Sequence, residues 1–179
     1  RIEYITTASQ GNSIDFGDSA VTGYDKSGSS NSVRGVFMGG YVGSPATDSN
    51  VIEYITISVG GTATDFGDLT TGSNGHAAVS NAHGGLNEGY QGTRIPVVGA
   101  PTRAVMGSGA TGPSDSIGNF IEYINISTKG DNSADFGNLS VSRRHANACA
   151  STTRACFGGG ATPSQSDVID YITIATIGD

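Results

Sequence analysis

Three Asp-Phe-Gly strings, at Asp15-Phe16-Gly17, Asp65-Phe66-Gly67 and Asp135-Phe136-Gly137, are the first residues in this chain whose types suggest chemistry. A single such string can place an aspartate on magnesium for phosphoryl transfer. A catalytic aspartate is unique to its site, so three copies at a regular period predict a packing device instead. In that reading Phe plugs the space between sheets, Gly allows a bulge or a close approach, and Asp accepts from nearby backbone N–H groups. Gly107-Ser108-Gly109-Ala110-Thr111-Gly112 has the spacing of a dinucleotide-binding turn, but that turn needs a helix directly after it, and Pro113-Ser114-Asp115-Ser116 offers none.

Three further sets of groups bear on chemistry. Of the three histidines, His76, His83 and His145, the first two share a segment with Glu88 without any zinc-ligand spacing, and they read as solvated loop residues. Cys149 and Cys156 fall opposite one another in a predicted hairpin. Val36 and Val105 occupy the place of Cys156 in other copies, so both thiols are expected reduced, at small buried apolar positions. Arg34, Arg103 and Arg154 recur one strand ahead of Glu53, Glu122 and Asp170, which predicts a ladder of ion pairs rather than an acid–base dyad.

These recurrences define the organisation of the chain. Ile-Glu-Tyr-Ile-Thr at residues 2–6 and 52–56 returns altered at 121–125 and 169–173, so units begin near residues 2, 52, 121 and 169. The interval from Asp15 to Arg34 equals that from Asp135 to Arg154, whereas Asp65 to Arg103 is 19 residues longer. That insertion fits either the first hairpin of its unit, near Ala82–Pro101, or the segment before it, near Asn74–Gly92. A long connection on a rigid scaffold is a common carrier of binding function, and His83, Asn87, Glu88, Tyr90 and Arg94 are its candidate contact residues.

One unit reads as four short strands. The clearest is of the type Val168–Ile174, dense in β-branched and aromatic residues. In its counterpart Ile52, Tyr54 and Thr56 point one way while Ile55 and Ile57 point the other, so the sheet must be covered on both faces. Tyr54, Phe66, Tyr123, Phe136 and Tyr171 are expected between sheets. An all-β chain is predicted, and small antiparallel sheets stacked about an axis, a β-propeller, satisfy the two-faced pattern. Thirteen strands make about 3.3 blades, fewer than a closed ring needs, so the remaining blades are expected from further sequence of the same polypeptide or from another subunit.

The chain has a net charge of −7 and only two lysines, so a phosphate backbone would repel it, and no apolar run approaches the length of a membrane span.

A unit of about 50 residues, the pairs Gly39-Gly40 and Gly158-Gly159 ending the second strand, and Tyr54, Tyr123 and Tyr171 in the third resemble kelch-type propeller repeats. Gly107-Ser108-Gly109 departs from that pattern, and Phe16, Phe66 and Phe136 stand where such repeats usually carry Trp. The array also resembles those of bacteriophage and other viral structural proteins. The resemblance implies a non-enzymatic interaction or adhesion module, without cofactor, of a virion tail or capsid fibre or an extracellular assembly. Its partner would be a glycan, a protein or other copies in the assembly. A purely architectural particle protein and a galactose-oxidase-like enzyme domain are the alternatives.

Overall fold

The computed structural model describes residues 1–43, 47–82, 102–112, 114–128 and 130–176. Those residues form strands, turns and no helix. Ile2–Tyr4 pairs with Ile14–Gly17 in an N-terminal two-stranded sheet. The first full sheet is an antiparallel meander of Ser27–Ser30, Arg34–Met38, Val51–Thr56 and Thr64–Asp68. The second full sheet repeats it with Ala77–Ser80, Arg103–Gly107, Phe120–Asn125 and Ala134–Asn138. Asn147–Ala150, Arg154–Gly158 and Ile169–Thr173 form a C-terminal sheet of three strands. Short ribbons such as Tyr41–Val42 with Thr47–Asp48 fill the connections between second and third strands.

Register is the same in every unit. Val36 lies opposite Tyr54, Val105 opposite Tyr123 and Cys156 opposite Tyr171. Because side chains alternate along a strand, each full sheet sends its apolar residues to both faces. Ala104, Met106, Ile124 and Ile126 of the second full sheet pack on Val36, Met38, Ile52, Phe66 and Leu69 of the first. From its other face, Val105, Ile121, Phe136 and Leu139 pack on Ala155, Phe157, Ile172 and Ile174 of the C-terminal sheet. The stack is therefore a series of dry interfaces, each made from the front of one sheet and the back of the next.

The Asp-Phe-Gly strings form the fourth strands, where the pairing slips by one residue: Ile52 faces Gly67 while Glu53 faces Asp65, leaving Phe66 as the extra residue of a β-bulge. The same slip recurs at Ile121 and Gly137. The bulge turns Phe66 and Phe136 into the buried interface, each edge-on to its Tyr at 6.0 Å between ring centroids. Gly67 has φ +156°, and a Cβ there would stand 2.6 Å from the Asp131 carbonyl oxygen of the next sheet, so glycine is what lets that loop close in. The aspartates differ from expectation: Asp65 and Asp135 are exposed, pointing off the bulge into solvent.

Two more expectations are corrected at the C-terminal sheet. Tyr171 is 63% exposed rather than buried, because it lies on a face that no further sheet covers among the described residues. Cys149 and Cys156 are register partners and free, as expected, but Cys149 is exposed and Cys156 half-buried for the same reason.

The first strands share one edge of the stack. Ala77–Ser80 lies against both Ser27–Ser30 and Asn147–Ala150, with the Ser80 hydroxyl donating to the Ser30 carbonyl at 2.6 Å. Their residues are mostly small, Gly, Ala and Ser, which permits that closeness, while Tyr and Phe stand on the third and fourth strands.

Truncating the plug should expose the dependence of the stack on it. Phe136→Ala is expected to cost about 3–5 kcal/mol in urea-induced unfolding, and Gly67→Ala to destabilise by more than about 1 kcal/mol through steric conflict with Asp131. Wild-type unfolding midpoints for both variants would contradict this account of the interface.

Candidate functional site

The recurrent acids of the third strands sit at the seams between sheets. Glu53, buried, accepts from the Ser19 hydroxyl, from the Ala20 N–H at 2.8 Å and the Val21 N–H at 3.2 Å, and from Lys26 Nζ at 2.7 Å. Ser19, Ala20 and Val21 follow the fourth strand of the preceding sheet, so the carboxylate ties that strand's exit to its own sheet. Glu122 repeats the arrangement, accepting from the Thr70 hydroxyl, the Thr70 N–H at 3.2 Å and the Ser133 hydroxyl. Asp170 takes the Ser140 hydroxyl at 2.6 Å and Arg143 Nη2 at 2.7 Å.

The basic groups beside these acids come from the approach to the first strand. Lys26 and His76 hold equivalent places, and Arg143 lies three residues before the equivalent Ala146. Arg143 is fully buried, with Nη2 shared between Asp170 and the Phe157 carbonyl at 3.0 Å. His76, expected in solvent, is also buried, its Nε2 lying 3.1 Å from the Met38 carbonyl of the preceding sheet. Burial pushes the imidazole below its ordinary value, outweighing the Met38 and Asn74 carbonyls and the charges of Glu122 and Asp48. For Glu53, burial raises the carboxyl, but the Lys26 and Ser19 hydrogen bonds, the Lys26 charge and the Val21 N–H together hold it below the ordinary value.

The predicted arginine–acid ladder is therefore replaced by two separate sets of contacts. Arg34 Nη1 crosses to the carbonyls of Ile126 and Ser127 at 2.7 and 3.1 Å, and its guanidinium lies 5.5 Å from the Tyr54 ring centroid. Arg103 does the same to Ile174 and Ala175 at 2.8 and 3.1 Å, over Tyr123 at 5.0 Å. A guanidinium is planar enough to stack and broad enough to reach two carbonyls, whereas the acids lie a strand away with their oxygens already engaged. Arg154 stacks on Tyr171 at 4.9 Å.

Chemically, these carboxylates are latches. A general base needs a lone pair free for substrate, and Glu53, with four donors, is saturated. A cleft of about 300 Å³ opens beside it, lined by residues including Arg1, Asp18, Thr22, Lys26 and Phe37. Among the described residues no group of three or more His, Cys, Asp or Glu side chains is placed to hold a metal.

The candidate contact residues His83, Asn87, Glu88, Tyr90 and Arg94 lie outside the described residues, but both ends of their segment are described. Ser80 pairs with Ala104, so residues 81–102 connect the first two strands of the second full sheet. Asn81 closes that hairpin by donating its N–H to the Arg103 carbonyl at 3.1 Å and accepting the Arg103 N–H on Oδ1 at 2.9 Å. Asn31 makes the same two bonds with Arg34, and Ser151 with Arg154, across connections of two residues.

No protein-family model matches the chain, and no curated protein matches its sequence.

Sequence reasoning missed Lys26, Arg143 and the buried role of His76. The available signal was the hydroxyl shortly after each Asp-Phe-Gly string, at Ser19, Thr70 and Ser140, which marks the donor side of every latch.

The two shifted groups predict two acid steps in stability. A carboxyl held low stabilises the fold above its unfolded value and loses that contribution as pH falls through the folded one; an imidazole held low favours the unfolded chain below about pH 6.5. Urea midpoints followed against pH should fall first between about pH 7 and 5, a step removed by His76→Gln. A second fall below about pH 4.5 should be smaller in Glu53→Gln, which starts from lower stability at neutral pH. An upper step that persists in His76→Gln would show that another group sets it.

Proposed function

We propose that this chain forms blades of a kelch-like β-propeller and serves as a non-enzymatic interaction or adhesion module of a virion fibre or extracellular assembly. It meets a glycan or protein partner through the connection 82–101. The observation that carries this reading is the convergence of the first strands along one edge of a stack whose sheets are apolar on both faces. Small residues at that edge and aromatic rings further out make each sheet the wedge of a ring. The saturation of Glu53, and the engagement of Glu122 and Asp170 with donors of the preceding sheet, support a non-enzymatic task. Support for the partner-facing role of the connection comes from its base, which leaves the regular hairpin bonds undisturbed while carrying 19 more residues than its counterparts.

Removal of residues 83–101, joining Ala82 to Thr102, is the test. The variant should keep the thermal unfolding midpoint of the parent to within a few degrees, since the Asn81–Arg103 closure remains. Binding of the parent to immobilised glycans or to target-cell surfaces should fall at least tenfold in the variant. Equal binding by both proteins would assign the segment no part in recognition.

A further inference from the structure

The outer two of the three acid seams are each served by a cation of the chain, and the middle one is built differently. Lys26 Nζ serves Glu53, donating to Ser19 Oγ at 2.7 Å, to the Val21 carbonyl at 2.6 Å and to the carboxylate at 2.7 Å. Arg143 serves Asp170, and Arg144 Nη1 beside it donates to Asp115, from the preceding second-to-third-strand connection, at 2.6 Å. The seam between the two full sheets keeps both kinds of acid, Glu122 and Asp48, but sets uncharged groups against them. By repeat position Ser73 stands for Arg143, Asn74 for Arg144 and His76 for Lys26. Asn74 Nδ2 meets Asp48 Oδ1 at 2.7 Å, while Glu122, 4% exposed, receives only hydroxyl and backbone donors. A buried carboxylate without an opposite charge is costly.

The substituted residues also carry buried polar atoms with no partner. Ser73 and His76 are 1% and 7% exposed, yet Ser73 Oγ and His76 Nδ1 have no hydrogen-bond partner among the described residues, and neither has the buried Asp48 Oδ2. His76 Nε2 faces the Met38 carbonyl, so it carries the ring proton and Nδ1 presents a lone pair. The other groups acting on that ring, the Asn74 carbonyl and the Glu122 and Asp48 charges, are acceptors as well. A lone pair set among acceptors calls for a positive group.

We infer that a monovalent cation of ammonium or potassium size binds in this middle seam, in the place that Lys26 Nζ takes beside Glu53, and ties the second full sheet to the first. Glu122, Thr70 and Ser73 supply its oxygens, and His76 Nδ1 closes one side. Thr70 Oγ1 donates to Glu122 and keeps its lone pairs for the ion, as Ser19 Oγ donates to Glu53 and accepts from Lys26. Asp48 adds its charge from the preceding connection. A single positive charge suits the donor set: Glu122 already accepts from Thr70 N–H, the Thr70 hydroxyl and the Ser133 hydroxyl, and among the described residues no three His, Cys, Asp or Glu side chains come together as a divalent metal would require.

Thermal unfolding of the full chain at neutral pH and constant ionic strength tests it, in the chloride salts of potassium, ammonium and tetramethylammonium. Tetramethylammonium screens charge equally but is too large for the seam. The wild-type midpoint should be higher in potassium or ammonium by at least about 2 °C and should climb with the logarithm of their concentration. His76→Lys places the first seam's cation in the middle one, and Ser73→Arg places the last seam's cation there. Each supplies the positive charge from the chain itself, so each should abolish the difference between salts while keeping the wild-type circular dichroism. Equal wild-type midpoints in all three salts overturn the inference and leave the unpartnered atoms to ordered water. A potassium effect that persists undiminished in whichever of the two variants folds puts the ion elsewhere and overturns it as well.

Discussion

Among the described residues the full sheets carry apolar residues on both faces, and that one constraint organises the rest. A strand such as Phe120–Asn125 cannot satisfy Ile121 and Ile124 with a single neighbour, because they point in opposite directions and each is buried in a different interface. Stability is therefore a property of pairs of sheets, each interface joining elements close in sequence, as in other linear repeat architectures. The Phe bulge and the glycine beside it serve this contact directly, one filling the gap and the other admitting the neighbouring loop.

Polar groups along the seams fix how the sheets meet. Hydrophobic contact is non-directional and would tolerate sliding, whereas a buried carboxylate with three or four donors fits one arrangement. The unit-to-unit differences are instructive. Glu53 has Lys26, Asp170 has Arg143, and Glu122 lies near a neutral imidazole and relies on hydroxyl and backbone donors. The shorter Asp170 is met by a longer cation, so the seam keeps its span although both partners change.

Much of the fold was legible because repetition supplies its own control. The β-sheet class, the four-stranded unit, the two-faced third strand and the Phe plug all followed from spacing, and the strand expected over Val168–Ile174 forms over Ile169–Thr173. What spacing could not show was the neighbour across an interface. Arg34 and Glu53 recur together in sequence, yet each is committed to a different adjoining sheet, so co-recurrence gave a pairing that geometry does not make. Tyr171 failed for a related reason: its local sequence matches Tyr54 and Tyr123, while burial depends on what stands opposite. Lys26 and Arg143 were invisible because no cation repeats at one position.

The closure of the first hairpin has a consequence for how such a protein changes over generations. Asn31, Asn81 and Ser151 clamp the ends of their connections with the same pair of hydrogen bonds, whether two residues lie between or twenty-one. Loop-closure entropy grows only logarithmically, so the longer excursion costs about 2 kcal/mol more than the short one, and the strands below do not register it. The clamp thus works as a socket: a lineage can exchange, lengthen or shed the segment it holds while the stacked sheets remain under a separate and stricter selection.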